Sequence, residues 1–281
     1  MTTVGCYAFV TEDWAEQEYP LDLWLEHNLE LFDQISLVCV GDVKLPIEDR
    51  RIVTKFMNDE SRGFDFYINR ARTAQELLET DWKVYTATDE FFSPSLVTRL
   101  KGEVHLDPTR AYAVRMHNFW GNLATEICAI SSDYWSLTTR AHKGERGFGA
   151  EDFLSGPYSR KIVGEFWHTD LCRSLKALER KYSLRAKRIP YTPPKVDYEE
   201  PRLFYRHPYL VKVNPDFLPD VLKRNSDRFN WAHFDSGMYV GKFRETLYDR
   251  LHSIAILKRK GIHKSKQSFR SLFSNVKTVS S

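Results

Sequence analysis

Short, mostly apolar runs at residues 4–10, 35–40 and 82–87, with a further strand read at residues 52–56, constrain this chain more than any other feature. Such runs fit strands buried on both faces of a parallel sheet. The stretches between them carry helical spacing. Leu21, Trp24, Leu25, Leu29 and Phe32 fall on one face behind Pro20, a residue tolerated in a first turn, and Tyr67, Ala71, Ala74 and Leu78 share another. Strands alternating with helices predict βαβ units and an α/β fold with a mostly parallel central sheet flanked by helices.

Beyond Thr88 the rhythm changes. Ser93 and Pro94 read as the N-cap and first residue of a short helix, and residues 110–120 as a long, partly alternating strand, so a mixed α+β half takes over. Leu171, Leu175, Leu178 and Tyr182 keep helical spacing, with Arg173, Lys176, Arg180 and Lys181 on other faces. Pro190, Pro193, Pro194, Pro201 and Pro208 then interrupt helix and ladder alike and read as a linker or strap. Phe243, Leu247, Leu251 and Ile254 give one more helix, closed near Gly261. The expected organisation is a domain over residues 1–189, its halves meeting near residue 100, and a Pro-rich strap with a helical, basic extension over residues 190–281.

A hydrophobic content of 42% with 14% aromatic residues supplies a core and argues against disorder. No stretch approaches the roughly 18 apolar residues of a membrane helix, and no basic region followed by an apolar run opens the chain. The expected address is cytoplasmic, with no transmembrane segment. Cys6, Cys39, Cys128 and Cys172 form no CxxC pair and read as buried free thiols. Eight Lys or Arg residues and no acidic residue follow Asp249, so the net charge of +3 divides into +8 there and −5 elsewhere. That basic segment reads either as a solvated terminus or as the binding surface for an anionic partner, nucleic acid or an acidic membrane.

In an open parallel sheet, ligands bind outside the carboxyl ends of the strands. Polar residues directly after strands therefore count most: Thr11, Glu12 and Asp13, then Asp42, then Thr88, Asp89 and Glu90. Hard carboxylate oxygens at that edge suit Mg²⁺ or Mn²⁺ bridging a diphosphate. Taken alone, Asp89-Glu90 reads equally well as an acid pair at the N-terminus of the helix after Ser93.

The neighbourhood adds to this. Asn69-Arg70-Ala71-Arg72, an apolar helical run, Asp81-Trp82-Lys83-Val84-Tyr85 and Asp89-Glu90-Phe91-Phe92 follow one another in the order seen in glycosyltransferase family 2 and its GT-A-fold relatives, which this sequence resembles over roughly residues 4 to 170. Gly149-Ala150-Glu151-Asp152 resembles the acceptor-side Glu-Asp motif of that family, and His168, within Phe166-Trp167-His168-Thr169-Asp170, stands where such enzymes often place a late metal-binding His. One position departs: Ala87 replaces the first Asp of the Asp-x-Asp motif, which in the family helps hold the nucleotide, so either Glu90 or a residue from another loop compensates, or the site binds metal weakly.

The resemblance implies a GT-A-like, Rossmann-like catalytic domain that moves a hexose or pentose from a nucleoside diphosphate sugar to a hydroxyl acceptor, with inversion. It places Thr11 and Glu12 beside the base, Asp42 at base or ribose, Arg72 at the diphosphate, Asp89 and His168 on Mn²⁺ or Mg²⁺, and Glu90 near the donor. Asp152 becomes the general base, with Glu151 as its neighbour or substitute. The acceptor is a glycan, a small molecule or a nucleic acid. Ala87 and the basic segment keep a second class in view, a nucleotide-, glycan- or nucleic-acid-binding protein without turnover.

Overall fold

The computed structural model describes residues 1–58, 64–102, 106–128, 137–143, 148–149, 153–154, 158–188, 209–213 and 215–229. The chain opens as β1 (Val4–Thr11), α1 (Leu21–Leu31), β2 (Gln34–Val40), β3 (Ile52–Met57), α2 (Phe64–Glu76) and β4 (Trp82–Tyr85). All four strands are parallel, in the order β3-β2-β1-β4. Both faces of β1, β2 and β4 are covered, which explains their apolar character, whereas the edge strand β3 is more open, with Phe56 58% exposed. Val4, Cys6, Ala8 and Val10 of β1 join Trp24, Leu25 and Phe32 of the α1 region in one core cluster, whereas Tyr7 joins Val38, Ala71, Ala74, Leu78 and Tyr85 beneath α2.

The second half is mixed, as expected. It runs through β5 (Glu90–Phe92), α3 (Pro94–Gly102), β6 (Ala111–Trp120), β7 (Asn122–Cys128), β8 (Leu137–Lys143), the two-residue strands β9 (Phe148–Gly149) and β10 (Phe153–Leu154), β11 (Tyr158–His168) and α4 (Leu175–Arg188). Antiparallel β8 joins β4 to β6, extending the parallel sheet. Along β6 runs β11 in parallel, and β11 in turn carries β5 antiparallel. Pro94 opens α3 as the spacing predicts, but α4 begins at Leu175 rather than Leu171. Ser174 caps it: its Oγ accepts the Ala177 N–H at 3.1 Å, and its own N–H and hydroxyl donate to Glu18 at 2.8 and 2.6 Å.

Past the expected boundary at residue 190, β12 (Tyr209–Lys212) pairs with β7, and α5 (Asp220–Arg224) leads to a 3₁₀ turn, Ser226–Phe229. Val221, Leu222 and Phe229 lie in the main core, and Arg224 and Arg228 pair with Glu26 and Asp22 of α1 at 2.9 and 2.7 Å. Most of the Pro-rich strap, the helix expected over residues 243–254 and the basic segment lie outside the described residues. Cys6, Cys39 and Cys172 are buried free thiols; burial pushes the Cys39 thiol up to about 11. No helix among the described residues is long and apolar enough to cross a membrane.

One close contact fixes α3 against the sheet. A Cβ on Gly164 of β11 would stand 2.6 Å from Leu96 Cβ and 2.9 Å from Leu96 Cα, so neither backbone can yield locally. Gly164→Ala is expected to cost about 1–3 kcal/mol by overpacking, read as a lower urea midpoint. An unchanged midpoint would refute the close approach.

Candidate active site

The strand order reverses at β1 and β4, because β2 follows β1 on one side while the chain returns to β4 on the other. The crevice outside the carboxyl ends of those two strands is where such a sheet binds ligands. Thr11, Glu12 and Asp13 leave β1 there, and the turn carrying Asp89 leaves β4 there. Asp42 follows β2 at the same edge. Glu12 Oε2 accepts the Asp42 N–H at 3.1 Å, and Thr11 Oγ1 donates to Asp13. Gly41 has a φ of +81°, a backbone conformation that favours glycine, and a Cβ there would push the Glu12 carboxylate aside. Glu12 and Asp42 are exposed, and their link ties the two strand ends into one rim.

Asp89 is 1% exposed. Its backbone carbonyl accepts both the Thr169 N–H at 2.9 Å and the Thr169 hydroxyl at 3.1 Å, so the residue after His168 holds it in place. Its Oδ2 accepts a hydrogen bond from Arg173 and lies 3.7 Å from Lys181 Nζ. Its Oδ1 accepts no hydrogen bond among the described residues and lies 3.7 Å from His168 Nε2.

Around it, Asp170 pairs with Lys181 and lies 3.6 Å from Arg173, so the buried Asp89 and Arg173 are joined by the half-buried Asp170 and Lys181. Burial opposes ionisation of Asp170, but the charges of Lys181 and Arg173 outweigh it and hold the carboxyl well below its usual range. Burial likewise works against the charged forms of Arg173 and Lys181, yet the surrounding carboxylates keep both firmly protonated. Arg173 also stacks 3.7 Å over the Tyr19 ring and donates to Gln17 O at 3.0 Å, which fastens the loop after β1 to the start of α4.

Glu90 has a different environment from the one its position in the motif implies. It is 2% exposed; Oε1 accepts from Arg140 Nη2 at 2.8 Å and Oε2 accepts the Ala87 N–H at 2.9 Å. Burial raises its carboxyl above the usual value, with Arg140 pulling the other way. Both oxygens are therefore engaged in holding the turn. Arg72 is exposed on α2, while Ala71 and Ala74 beside it pack on the sheet. Glu151 and Asp152 lie outside the described residues.

The spacing of Asp89 Oδ1 and His168 Nε2 fits a divalent cation, since two donors each about 2.1 Å from one ion span at most about 4 Å. His168 Nδ1 lies 2.6 Å from Asn118 Oδ1, so Nδ1 carries a proton and Nε2 faces the unpartnered carboxylate oxygen. With the ring neutral these are two acceptors between which a cation could lie. Among the described residues no group of three or more His, Cys, Asp or Glu residues is placed to hold a metal ion, so an ion here would have Asp89 and His168 as its protein ligands and would need the rest from elsewhere.

Sequence patterns pointed to Asp89 and His168 but not to Arg173, Lys181, Asp170 or Asn118. Lys181 carried a readable signal, since it lies three and four residues after the buried Leu178 and Ala177 and so belongs to the inner stripe of α4 rather than to another face.

No family model and no curated protein matches the chain. Solved structures with some likeness include S. aureus TarS 1-349 in complex with UDP-GlcNAc, 10% identical, with 59% of this chain and 58% of that chain covered and a TM-score of 0.38. The inositol-1-phosphate CTP transferase from T. maritima is 10% identical over 66% of this chain and 96% of that one, with a TM-score of 0.33. HddC from Yersinia pseudotuberculosis is 12% identical over 66% and 99%, with a TM-score of 0.32. The conclusions below rest on the geometry around Asp89, not on these likenesses.

Proposed function

We propose that the chain is a metal-dependent glycosyltransferase that moves a sugar from a nucleoside diphosphate sugar to a hydroxyl acceptor with inversion. The observation that carries this reading is a buried carboxylate at the switch point of the sheet, with one oxygen tied to Arg173 and the other unpartnered and facing His168 Nε2. Asp89 and His168 would hold Mn²⁺ or Mg²⁺. When bound, the ion offsets the charge of the diphosphate and of the departing nucleoside diphosphate.

The remaining roles belong to the chain itself. Thr11, Glu12 and Asp42 form the rim on which a nucleotide would lie, and the Glu12–Asp42 link keeps that rim in one shape. Arg173 and Lys181 hold Asp89 in its orientation and add positive charge behind the diphosphate. Arg72 is assigned to the diphosphate, and Asp152 to accepting the acceptor hydroxyl proton, by the resemblance alone.

A hydrolysis screen tests the class. Nucleoside diphosphate sugars differing in base and sugar are incubated with the full chain, with Mn²⁺, with Mg²⁺ and with chelator, and release of nucleoside diphosphate is followed. Release from one donor is expected, dependent on the metal and abolished in His168→Ala. If no donor is bound or hydrolysed under any of these conditions, the reading fails. Metal-dependent binding without release, even with acceptors supplied, would instead favour a binding protein.

A further inference from the structure

Three strands end side by side next to Asp89. In β5, Glu90 pairs across with His168 of β11, and His168 pairs in register with Asn118 of β6. Asn118 is buried and half-buried His168 is gripped between it and Asp89: Nδ1 lies 2.6 Å from Asn118 Oδ1, and Nε2 lies 3.7 Å from Asp89 Oδ1. An amide oxygen accepts only, so Nδ1 carries the ring proton, and the lone pair on Nε2 is turned toward the carboxylate. With the other tautomer, Nδ1 and Asn118 Oδ1 would be two acceptors in contact. An Nε2–H would then face Asp89 across 3.7 Å, too far for a hydrogen bond.

We propose that Asn118 is a positioning residue for the metal site, holding His168 in the Nδ1–H form so that Nε2 and Asp89 Oδ1 present paired lone pairs to a divalent cation. The inference rests on the metal reading above and deepens it. A hydrogen bond to the distal nitrogen of a ligating histidine fixes its tautomer and ring direction, and loss of such a partner costs about 10–100-fold in metal affinity. Asn suits this place better than a carboxylate would in one respect. It supplies the acceptor without adding another negative charge beside Asp89, Asp170 and Glu90, all on the same cluster of strand ends.

The test uses the full chain and Mn²⁺ alone, with free Mn²⁺ followed by electron paramagnetic resonance, beside ¹⁵N spectra of histidine-labelled protein in alkaline buffer. Asn118→Leu removes the acceptor at similar size, and Asn118→Asp keeps it. Asn118→Ala serves should the Leu variant not fold. Wild type and Asn118→Asp are expected to show the His168 proton on Nδ1 and to bind Mn²⁺. Asn118→Leu is expected to move the proton toward Nε2 and to weaken Mn²⁺ binding by about 10–100-fold. A purely structural role would lower the melting temperature without moving the ring proton. An unchanged Leu variant beside a wild type that binds Mn²⁺ overturns the proposal alone. A wild type that binds Mn²⁺ no more tightly than His168→Ala overturns the metal reading, and the proposal with it.

Discussion

Asp89→Asn is expected to lower turnover about 10³-fold, equivalent to ~4 kcal/mol of transition-state stabilisation, and to abolish measurable Mn²⁺ binding. Shape is nearly conserved. The new amide oxygen keeps the hydrogen bond from Arg173, and the amide N–H₂ takes the place of the oxygen that faces His168 Nε2 across 3.7 Å, where a donor cannot ligate a cation. What is lost is the charge. Arg173 and Lys181 then share the single carboxylate of Asp170, so the variant is also expected to be about 3 kcal/mol less stable, the low end for a broken buried ion pair. Turnover, a Mn²⁺ isotherm and a urea melt on the same preparation separate the two effects. A variant that keeps Mn²⁺ affinity while losing stability would show Asp89 to be a structural acid only.

The parallel half was legible in the sequence because β1, β2 and β4 are buried on both faces. Residues 4–10 read as one apolar run although they alternate between two cores, with Cys6 and Ala8 on one side and Tyr7 on the other. β8 and β11 gave no such signal. Arg140 and Lys143 lie in the first, Gly164 and Glu165 in the second, and the pairing of β11 with β6 is broken by register shifts. Charged strand positions there are offset by partners that are distant in sequence, such as Arg140 with Glu90, so no local pattern reveals them. The late start of α4 has the same cause: Ser174 becomes a cap because Glu18, in another loop, accepts its N–H and hydroxyl.

The site divides in a similar way. Asp89 and His168 were legible because His168 ends β11 and Asp89 stands in the turn between β4 and β5, and such positions gather at one edge. Asn118 was not, because it lies inside β6 and only the register with β11 sets it beside His168. Glu90 was placed near the donor by its position beside Asp89, but it opens β5 and its side chain turns the other way. Asp89 therefore meets His168 and Arg173 while Glu90 turns to Arg140 and to the Ala87 N–H.

Arg140→Met is expected to cost about 3–5 kcal/mol, because it leaves the Glu90 carboxylate buried without its counter-charge. The guanidinium sits 4.9 Å from the Tyr85 ring and 5.5 Å from the Phe166 ring, an apolar setting that Met can fill, so the loss is of charge rather than packing. The sign of its pH dependence follows from Glu90. Burial already raises that carboxyl, and removing Arg140 takes away the main opposing pull, so its folded value lies further above the unfolded one. The folded state then binds the proton more tightly, and the penalty shrinks as pH falls through the raised value and grows above it. Urea midpoints of the variant should thus lie closer to wild type in mildly acidic than in mildly alkaline buffer. Adding Glu90→Gln removes the stranded charge while keeping an acceptor for the Ala87 N–H, and should recover most of the loss. If single and double variants are equally unstable at every pH, the pair matters through shape, and the turn that presents Asp89 is held by packing instead of by charge.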